Sequence, residues 1–306
     1  MKPLEIVDVG FAYEDGTVAL RNLSLSIGSG EKVAVIGPNG AGKSTLLHLI
    51  AGFRTPFSGQ VVIEGRKLDD SNADDLRRHV GLLFQDPDDQ IFMPTVEEDV
   101  AFGPRNLGLD DIEGRVARAM KGSAVEHLAK RKPHRLSYGM KKRVAIAGIL
   151  AMDPAILLLD EPTSGLDPRS RADLIRLLKG MDRTMLIATH DLEAAAEIAD
   201  RAIVLNIGRL MEGTMREVVM AGDLMQDAGL ELPPISKLFR VLESMGYPVD
   251  DLPASLDQAV EQLTRVMDRT GKHAHAHIHE HVHNGLEHDH EHPKATAVGH
   301  QPRDEK

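Results

Sequence analysis

The residues best suited to chemistry form one short stretch, Gly37-Pro38-Asn39-Gly40-Ala41-Gly42-Lys43-Ser44. Its pattern, G-x-x-x-x-G-K-[ST], is typical of a loop that wraps a polyphosphate. The glycines let backbone N–H groups converge on the phosphates, Lys43 reaches the outer ones and the Ser44 hydroxyl ligates Mg²⁺. An apolar run at residues 33–36 precedes the loop and a helical pattern follows it, so the helix dipole adds to the anion site. The stretch predicts a nucleotide phosphate site; the alternative is a glycine-rich turn between two core elements.

Two carboxylates follow a second apolar run, residues 156–159, which has the continuous hydrophobicity of a buried parallel strand. Asp160 and Glu161 therefore lie at the C-terminal end of a strand, the edge at which ligands bind in open α/β sheets. In a chain with a phosphate loop, Asp160 is suited to the Mg²⁺ shell. Glu161 is suited to orient and polarise the water that attacks the γ-phosphate.

Two more polar residues lie at the ends of apolar runs. Gln85 follows residues 80–84, and its amide could point at Mg²⁺ or the attacking water, or simply cap the strand edge. His190 follows residues 185–189, and its imidazole could touch the γ-phosphate and sense its loss. A lone histidine at a strand end is more often structural, so this interpretation depends on the other motifs.

Three helix starts carry further candidate residues. Ser137 is a good N-cap, and Gly139 with the cations at 141–143 favours an anion site, the alternative being a capped helix with a basic, solvated face. Asp167 and the proline after it open a helix that ends at Gly180. The capping box at residues 95–98 places acidic residues 97–99 in a first turn, where they either serve that helix or form an acidic patch for a basic partner segment.

The N-terminal segment predicts an antiparallel β-unit, because residues 4–9 and 23–27 are apolar and flank the turn at 14–16. Phe11 and Tyr13 end its first strand. An exposed aromatic there could stack on an adenine ring, and a half-buried strand aromatic is an equal alternative.

Taken in order, these residues resemble the ATP-binding cassette of ABC transporters across about residues 4–215. The resemblance identifies Tyr13 as the adenine-stacking aromatic, Gln85 as the Q-loop, Asp160 with Glu161 as Walker B and its catalytic base, and His190 as the switch histidine. The Walker A loop is Gly37, Pro38, Asn39, Gly40, Ala41, Gly42, Lys43, Ser44 and Thr45, the signature loop includes Ser137 and Gly139, and the D-loop includes Asp167.

That family implies an α/β P-loop NTPase fold, the ABC ATPase cassette, with an inserted helical subdomain at about residues 86–155. The N-terminal antiparallel β-unit and a C-terminal helical extension complete the expected fold, and both are predicted from the residue pattern. It also implies a head-to-tail homodimer, in which Walker A of one copy and the signature serine and glycine of the other hold each ATP. Mg²⁺ is then expected on Ser44, Gln85 and Asp160. One position departs from the family: the signature has Met140 where an amide is usual, and a thioether cannot donate the hydrogen bonds of an amide.

A narrower resemblance comes from residues 84–92 together with residues 137–148. They are similar to the ATPase component of energy-coupling factor importers, particularly the cobalt and nickel group. This implies two membrane partners, a transmembrane coupling component and a substrate-binding subunit. The residues after Gln85 would form the groove that takes a coupling helix.

The composition limits the class of function. Zero cysteines among 306 residues exclude a disulfide framework and thiolate metal sites. A net charge of −11 has the wrong sign for neutralising nucleic-acid phosphates, so no nucleic-acid partner is expected. No apolar run approaches the ~18 residues that span a bilayer, and the N-terminus lacks a signal-peptide apolar region. Any role at the membrane therefore needs a separate membrane subunit. The resemblance to transporter ATPases implies a peripheral protein on the cytoplasmic side of the cell membrane.

The C-terminal part divides into two predicted segments after a cassette at residues 1–215. Residues 216–270 carry two amphipathic stripes, which form either a helical pair packed on the cassette or a dimer-stabilising extension. Residues 271–306 predict a disordered, metal-binding tail, since neutral imidazoles are favoured ligands for Ni²⁺, Co²⁺ and Zn²⁺. Its histidines are His273, His275, His277, His279, His281, His283, His288, His290, His292 and His300. A purification tag or a solvating polar segment are the alternatives.

Together these features predict an ATP-hydrolysing subunit that energises import of a divalent transition metal, cobalt or nickel, through separate membrane subunits. One alternative is the ATPase of a vitamin-type importer of the same kind. Another is a soluble ABC ATPase that does not serve transport.

Overall fold

The computed structural model describes residues 2–206, 209–221 and 229–269. The histidine-rich segment predicted at residues 271–306 lies outside the described residues. The N-terminal β-unit is confirmed: β1 (Leu4–Ala12) pairs antiparallel with β2 (Val18–Ile27) and with β4 (Ser58–Ile63), and β5 (Arg66–Lys67) extends the sheet from β4.

A second sheet holds four strands that the apolar runs predict, β3 (Lys32–Ile36), β6 (Val80–Leu83), β7 (Ile156–Asp160) and β8 (Thr184–Thr189). It also holds two further strands, β9 (Arg201–Asn206) and β10 (Arg209–Thr214), that the sequence analysis does not predict. They lie in the order β10-β9-β3-β8-β7-β6, with every pair parallel except β10 with β9. The carboxyl ends of β3, β6, β7 and β8 consequently meet at one edge, where a parallel sheet binds its ligands.

Helices cover both sides of this sheet. They are α1 (Lys43–Ile50), α2 (Ala73–Arg77), α3 (Val96–Asn106), α4 (Ile112–Gly122), α5 (Tyr138–Met152), α6 (Pro168–Gly180), α7 (Leu192–Ile198), α8 (Met215–Met220), α9 (Pro234–Ser244) and α10 (Leu256–Arg269). One apolar core joins α1 to both sheets, and a second joins the opposite face of the parallel sheet to α3, α4, α5 and α6. Among the described residues, no helix combines the length and apolarity that a bilayer crossing requires.

The acidic first turn of α3 corrects one expectation. The capping box is confirmed, because the Thr95 hydroxyl accepts from the Glu98 N–H and the Glu98 carboxylate accepts from the Thr95 N–H. Asp99, however, is only 8% exposed, and its carboxylate accepts the N–H groups of Phe92 and Met93, each at 3.0 Å. It therefore anchors the preceding loop and cannot belong to a surface acidic patch.

The two amphipathic stripes near the C-terminus form the predicted helices α9 and α10. Phe239 and Ala259 pack in one apolar cluster with Val219 of α8, so part of the extension rests on the cassette. Other apolar side chains remain exposed, namely Leu238 and Val241 of α9 and Met245 directly after it. Packing on the chain itself accounts for only part of the stripe.

Candidate nucleotide site

The glycine-rich loop lies between β3 and α1, as its sequence predicts, and two of its glycines have no substitute. A Cβ at Gly37 would lie 2.4 Å from the carbonyl oxygen of Leu205. Gly42 has φ +98°, and a Cβ there would lie 2.8 Å from the carbonyl oxygen of Ala19. Only glycine fits where backbone passes so closely or takes a left-handed conformation. The loop is therefore pressed against neighbouring strands and curls around the start of α1.

The loop borders a cleft of about 750 Å³. Among its lining residues are the predicted Tyr13, Asn39, Gly40, Ala41, Gly42, Lys43, Ser44, Thr45, Gln85, Glu161 and His190, together with Thr17, Val18, Ala19 and Ser164. The sheet thus brings together residues that are up to 177 positions apart in the chain, from Tyr13 to His190. The volume of the cleft, and the glycine-rich loop and helix start that line it, suit a nucleoside triphosphate.

Lys43 lies at the centre of the loop and is only 6% exposed. Its ammonium donates to the carbonyl oxygens of Gly37 at 2.7 Å and Pro38 at 3.1 Å, and lies 3.5 Å from the Glu161 carboxylate. Gly37 and Pro38 therefore contribute through backbone oxygens that hold the cation in place. A buried, positioned ammonium of this kind is suited to phosphate oxygens.

Glu161 is held by both its backbone and its carboxylate. Its φ of +44° is left-handed, and its N–H donates to the Ala188 carbonyl at 2.8 Å. One carboxylate oxygen accepts from the Thr189 hydroxyl at 3.0 Å, and the other lies 2.9 Å from His190 Nδ1. A non-glycine residue in this conformation stores strain, and such strain clusters at functional sites. The carboxylate is therefore fixed in the cleft beside Lys43 and His190.

Thr189 contacts Glu161 and was not among the residues predicted for the site. Its hydroxyl donates to Glu161 and also accepts from the Asp191 N–H at 3.0 Å. The Asp191 carboxylate in turn caps α7 and receives Arg171 of α6 through paired bonds of 2.9 to 3.1 Å. The sequence signal for these contacts is that a hydroxyl residue, Thr189, and a carboxylate residue, Asp191, directly flank His190.

The residues predicted to hold Mg²⁺ fit that ion. Ser44, Gln85 and Asp160 all line a second cavity of about 580 Å³. Burial raises the pKa of the Asp160 carboxyl, opposed by its hydrogen bond to the Ser44 side chain. Within the described part of the chain, the buried Oδ1 of Asp160 has no hydrogen-bond partner. A buried carboxylate oxygen with a free lone pair, beside a hydroxyl, is the hard-oxygen environment that Mg²⁺ prefers.

The structure separates the two aromatics at the end of β1. Phe11 is buried, whereas Tyr13 is 37% exposed at the cleft wall. The Tyr13 hydroxyl lies 2.6 Å from the Thr45 hydroxyl, Phe11 meets its ring edge-on, and the Arg54 guanidinium lies 5.1 Å from its centroid. Tyr13 is thus a partly exposed ring held in a fixed orientation, as a base-stacking position requires.

Three predicted ligands lie elsewhere. Ser137 caps α5 by accepting from the Met140 N–H at 3.3 Å, and Asp167 caps α6 by accepting from Arg169 and Ser170. A Cβ at Gly139 would lie 2.8 Å from the Ser170 hydroxyl, so the starts of α5 and α6 abut closely. These caps do not line the cleft that contains Lys43.

The basic run at residues 141–143 also differs from expectation. Lys141 pairs with Asp88, and Arg143 pairs with Asp173. Lys142 is fully buried. The run is therefore not a solvated basic face, and Lys142 is not available to a surface anion.

Comparison with known proteins agrees with this geometry. The ABC transporter family profile matches residues 20–164. The energy-coupling factor transporter ATP-binding protein EcfA of Methanothermobacter thermautotrophicus is 48% identical over 255 residues, covering 81% of this chain and 82% of that protein. The protein of the same name from Methanococcus maripaludis is 41% identical, covering 85% of this chain and 99% of its own length.

Solved structures show the same fold. The cbiO1 protein of Clostridium perfringens, described as part of the ABC transporter complex cbiONQ, is 39% identical with a TM-score of 0.68, covering 78% of this chain and 99% of that chain. The ATP-binding cassette MJ0796, in a dimeric post-hydrolysis state bound to ADP and Pi, is 33% identical with a TM-score of 0.63, covering 70% and 99%. The chain therefore belongs to the ABC transporter ATP-binding proteins, as an ATPase subunit of the energy-coupling factor type.

Proposed function

We propose that the cleft binds ATP and that Glu161 polarises the water that attacks the γ-phosphate. Lys43 would meet the outer phosphates, and His190, which lies beside the same Glu161 carboxylate oxygen as Lys43, would contact the γ-phosphate. Ser44 and Asp160 would hold Mg²⁺, with the Gln85 amide beside them; when bound, the ion neutralises phosphate charge. The observation that carries this proposal is the fixed Glu161 carboxylate, 2.9 Å from His190 Nδ1 and 3.5 Å from the Lys43 ammonium.

We propose further that two copies of the cassette, residues 1–215, close head to tail around two ATP molecules. Ser137, Gly139 and Asp167 would then serve the site of the partner copy. Their position away from this chain's own cleft supports the arrangement, since otherwise they have no nucleotide to contact. The dimeric MJ0796 cassette provides a precedent among similar structures.

The helical subdomain, about residues 86–155, is proposed to dock the membrane partners. A groove of about 590 Å³ between α3 and α4 is lined by apolar side chains that include Ala101, Val116 and Met120. It contains none of residues 86–92, so this docking site differs from the one implied by the resemblance at the residues directly after Gln85. Its acidic lining residues, Glu97, Glu98, Glu113 and Glu126, outnumber its basic ones, Arg105 and Lys130. An amphipathic coupling helix with basic residues would complement it. The protein would thereby be held peripherally on the cytoplasmic side of the membrane.

For the cargo we propose a divalent transition metal, cobalt or nickel. The support comes from the sequence: ten histidines lie at positions 273–300, in a segment outside the described residues, and most of them alternate with Ala, Ile, Glu, Val or Asp. Imidazoles at this density would bind Ni²⁺, Co²⁺ or Zn²⁺. The resemblance of residues 84–92 to cobalt- and nickel-type importers favours the same cargo.

Transport by the assembled complex tests this function. The protein would be co-expressed with its membrane partners, reconstituted in vesicles and supplied with ATP and radioactive cobalt or nickel, with Glu161→Gln as the inactive control. ATP-dependent metal uptake is expected. Parallel vesicles would receive radiolabelled vitamins, and uptake of a vitamin instead of metal would favour the vitamin-type alternative. Failure to co-purify with any membrane subunit would favour a soluble ABC ATPase.

A further inference from the structure

The most unusual charged residue of the described chain is Lys142, on α5. It is 0% exposed and heads the fully buried side chains by size. Burying an ammonium carries a large desolvation cost, and an aliphatic side chain of similar volume is often neutral or stabilising in its place. Burial accordingly lowers the pKa of Lys142 to about 8, although Asp160, Asp86 and Glu161 oppose the shift. Filling space does not explain a lysine here.

The contacts of its ammonium point to a different role. Lys142 Nζ donates to the backbone carbonyl of Gln85 at 2.5 Å and to the backbone carbonyl of Glu161 at 3.2 Å. These carbonyls lie just beyond the carboxyl ends of the neighbouring strands β6 and β7. One side chain of α5 therefore bridges the two strand ends that present the polar groups of the cleft.

The carbonyl of Glu161 has particular importance because its backbone is strained. The Glu161 N–H is held by Ala188, and its carbonyl accepts from the Ser164 N–H at 3.2 Å as well as from Lys142. Because both the N–H and the carbonyl of Glu161 are held, its backbone stays at φ +44°, and this fixes the direction of its side chain. The carboxylate direction in turn sets its distances to Lys43 and His190.

We propose that Lys142 is a positioning residue for ATP hydrolysis. Its hydrogen bonds link α5, the helix that begins at the signature loop, to the backbones of Gln85 and Glu161, so that a movement of α5 displaces both residues. The inference rests on the proposed role of Glu161 as the base. It extends that role to the helical subdomain, because α5 also packs against α3 and α4, which line the proposed partner groove.

Lys142→Met tests the proposal, since it keeps an unbranched stem and removes the donor. Both carbonyls keep another donor, the Tyr138 hydroxyl at 3.2 Å on Gln85 and the Ser164 N–H on Glu161, so folding does not depend on Lys142 alone. The matched control is Lys121→Met, which removes an exposed lysine from α4 in the same subdomain.

The measurements are ATP-binding stoichiometry and affinity, and kcat and KM for Mg-ATP, all in the full-length protein. If Lys142 is a positioning residue, Lys142→Met binds ATP with near wild-type affinity, while kcat per binding-competent molecule falls about 10- to 100-fold. A merely structural role predicts fewer binding-competent molecules, each hydrolysing at the wild-type rate, and that result would overturn the inference.

A second variant keeps the test decisive. Lys142→Arg retains a cation with N–H donors at similar reach and is expected to be faster than Lys142→Met; equal rates for the two would count against the proposal. If Lys142→Met does not fold, Lys142→Leu replaces it, because leucine also lacks a donor; a reduced kcat per binding-competent molecule is again expected and an unchanged one would overturn the idea. Full activity of Lys142→Met beside an inactive Glu161→Gln would overturn this inference alone. Full activity of Glu161→Gln would instead overturn the proposed base.

Discussion

Replacing Glu161 with glutamine tests the proposed chemistry most directly. The change removes the negative charge, so the side chain can no longer accept a proton from the attacking water. Its amide oxygen can still accept from the Thr189 hydroxyl, which lies 3.0 Å from the wild-type carboxylate. Glutamine is no bulkier at Cβ than glutamate, so the strained backbone, with φ +44°, has the same cost in both proteins.

The substitution is expected to affect the stability of the fold and the rate of hydrolysis by different amounts. Lys43 loses an ionic neighbour at 3.5 Å but keeps its bonds to the carbonyls of Gly37 and Pro38, so the free energy of unfolding should fall by less than about 3 kcal/mol. Loss of a general base costs about 10²- to 10⁴-fold in rate. At about 1.36 kcal/mol per tenfold, the barrier should rise by about 2.7 to 5.4 kcal/mol.

The assay is phosphate release by the assembled complex under saturating Mg-ATP, together with ATP-binding stoichiometry and dimer formation. We expect ATP to bind and to hold the dimer closed while turnover falls by ~10² or more. Glu243→Gln on the exposed face of α9 is the control for loss of one acidic charge. Turnover in Glu161→Gln equal to that of the control would refute the assignment of Glu161 as the base.

Three further changes address the phosphate loop, the signature and the tail. Lys43→Ala should abolish ATP binding, because its ammonium is the buried cation of the cleft; normal affinity in a nucleotide titration would show that the loop is not the site. Met140→Gln should tighten ATP-driven dimerisation or raise turnover, since Met140 is 37% exposed at the start of α5 and glutamine can donate hydrogen bonds there. The gain should match about one hydrogen bond, roughly 0.5 to 1.5 kcal/mol. No change in either quantity would mean that Ser137 and the backbone make the signature contact without it. A protein truncated after Gly271 should keep its ATPase activity and lose most bound Ni²⁺ in calorimetry, and equal Ni²⁺ uptake would contradict the tail proposal. Full-length protein should lose Ni²⁺ as the pH falls below about 6.5, because protonated imidazole has no lone pair to donate.

The sequence by itself determined the main elements and the order of the candidate residues along the strand ends. Gly37 to Ser44, Asp160 with Glu161, and His190 each follow an apolar run, and parallel strands bring their carboxyl ends to one edge. The N-caps Ser137 and Asp167 were also predictable from the sequence, because an N-cap side chain accepts from backbone N–H groups only two or three residues away. Such features are local, or follow from strand direction alone.

Only the tertiary structure decided which charged residues are buried and what holds them. Asp99 resembles its acidic neighbours in sequence, yet it folds inward because the loop before α3 supplies two N–H groups. Lys142 looks like one cation in a basic run, yet it contacts carbonyls 57 and 19 residues away. Periodicity marks the face of a helix but not the backbone groups that long-range packing places against it. The partners of Lys142 and Asp99 therefore depended on the assembled fold.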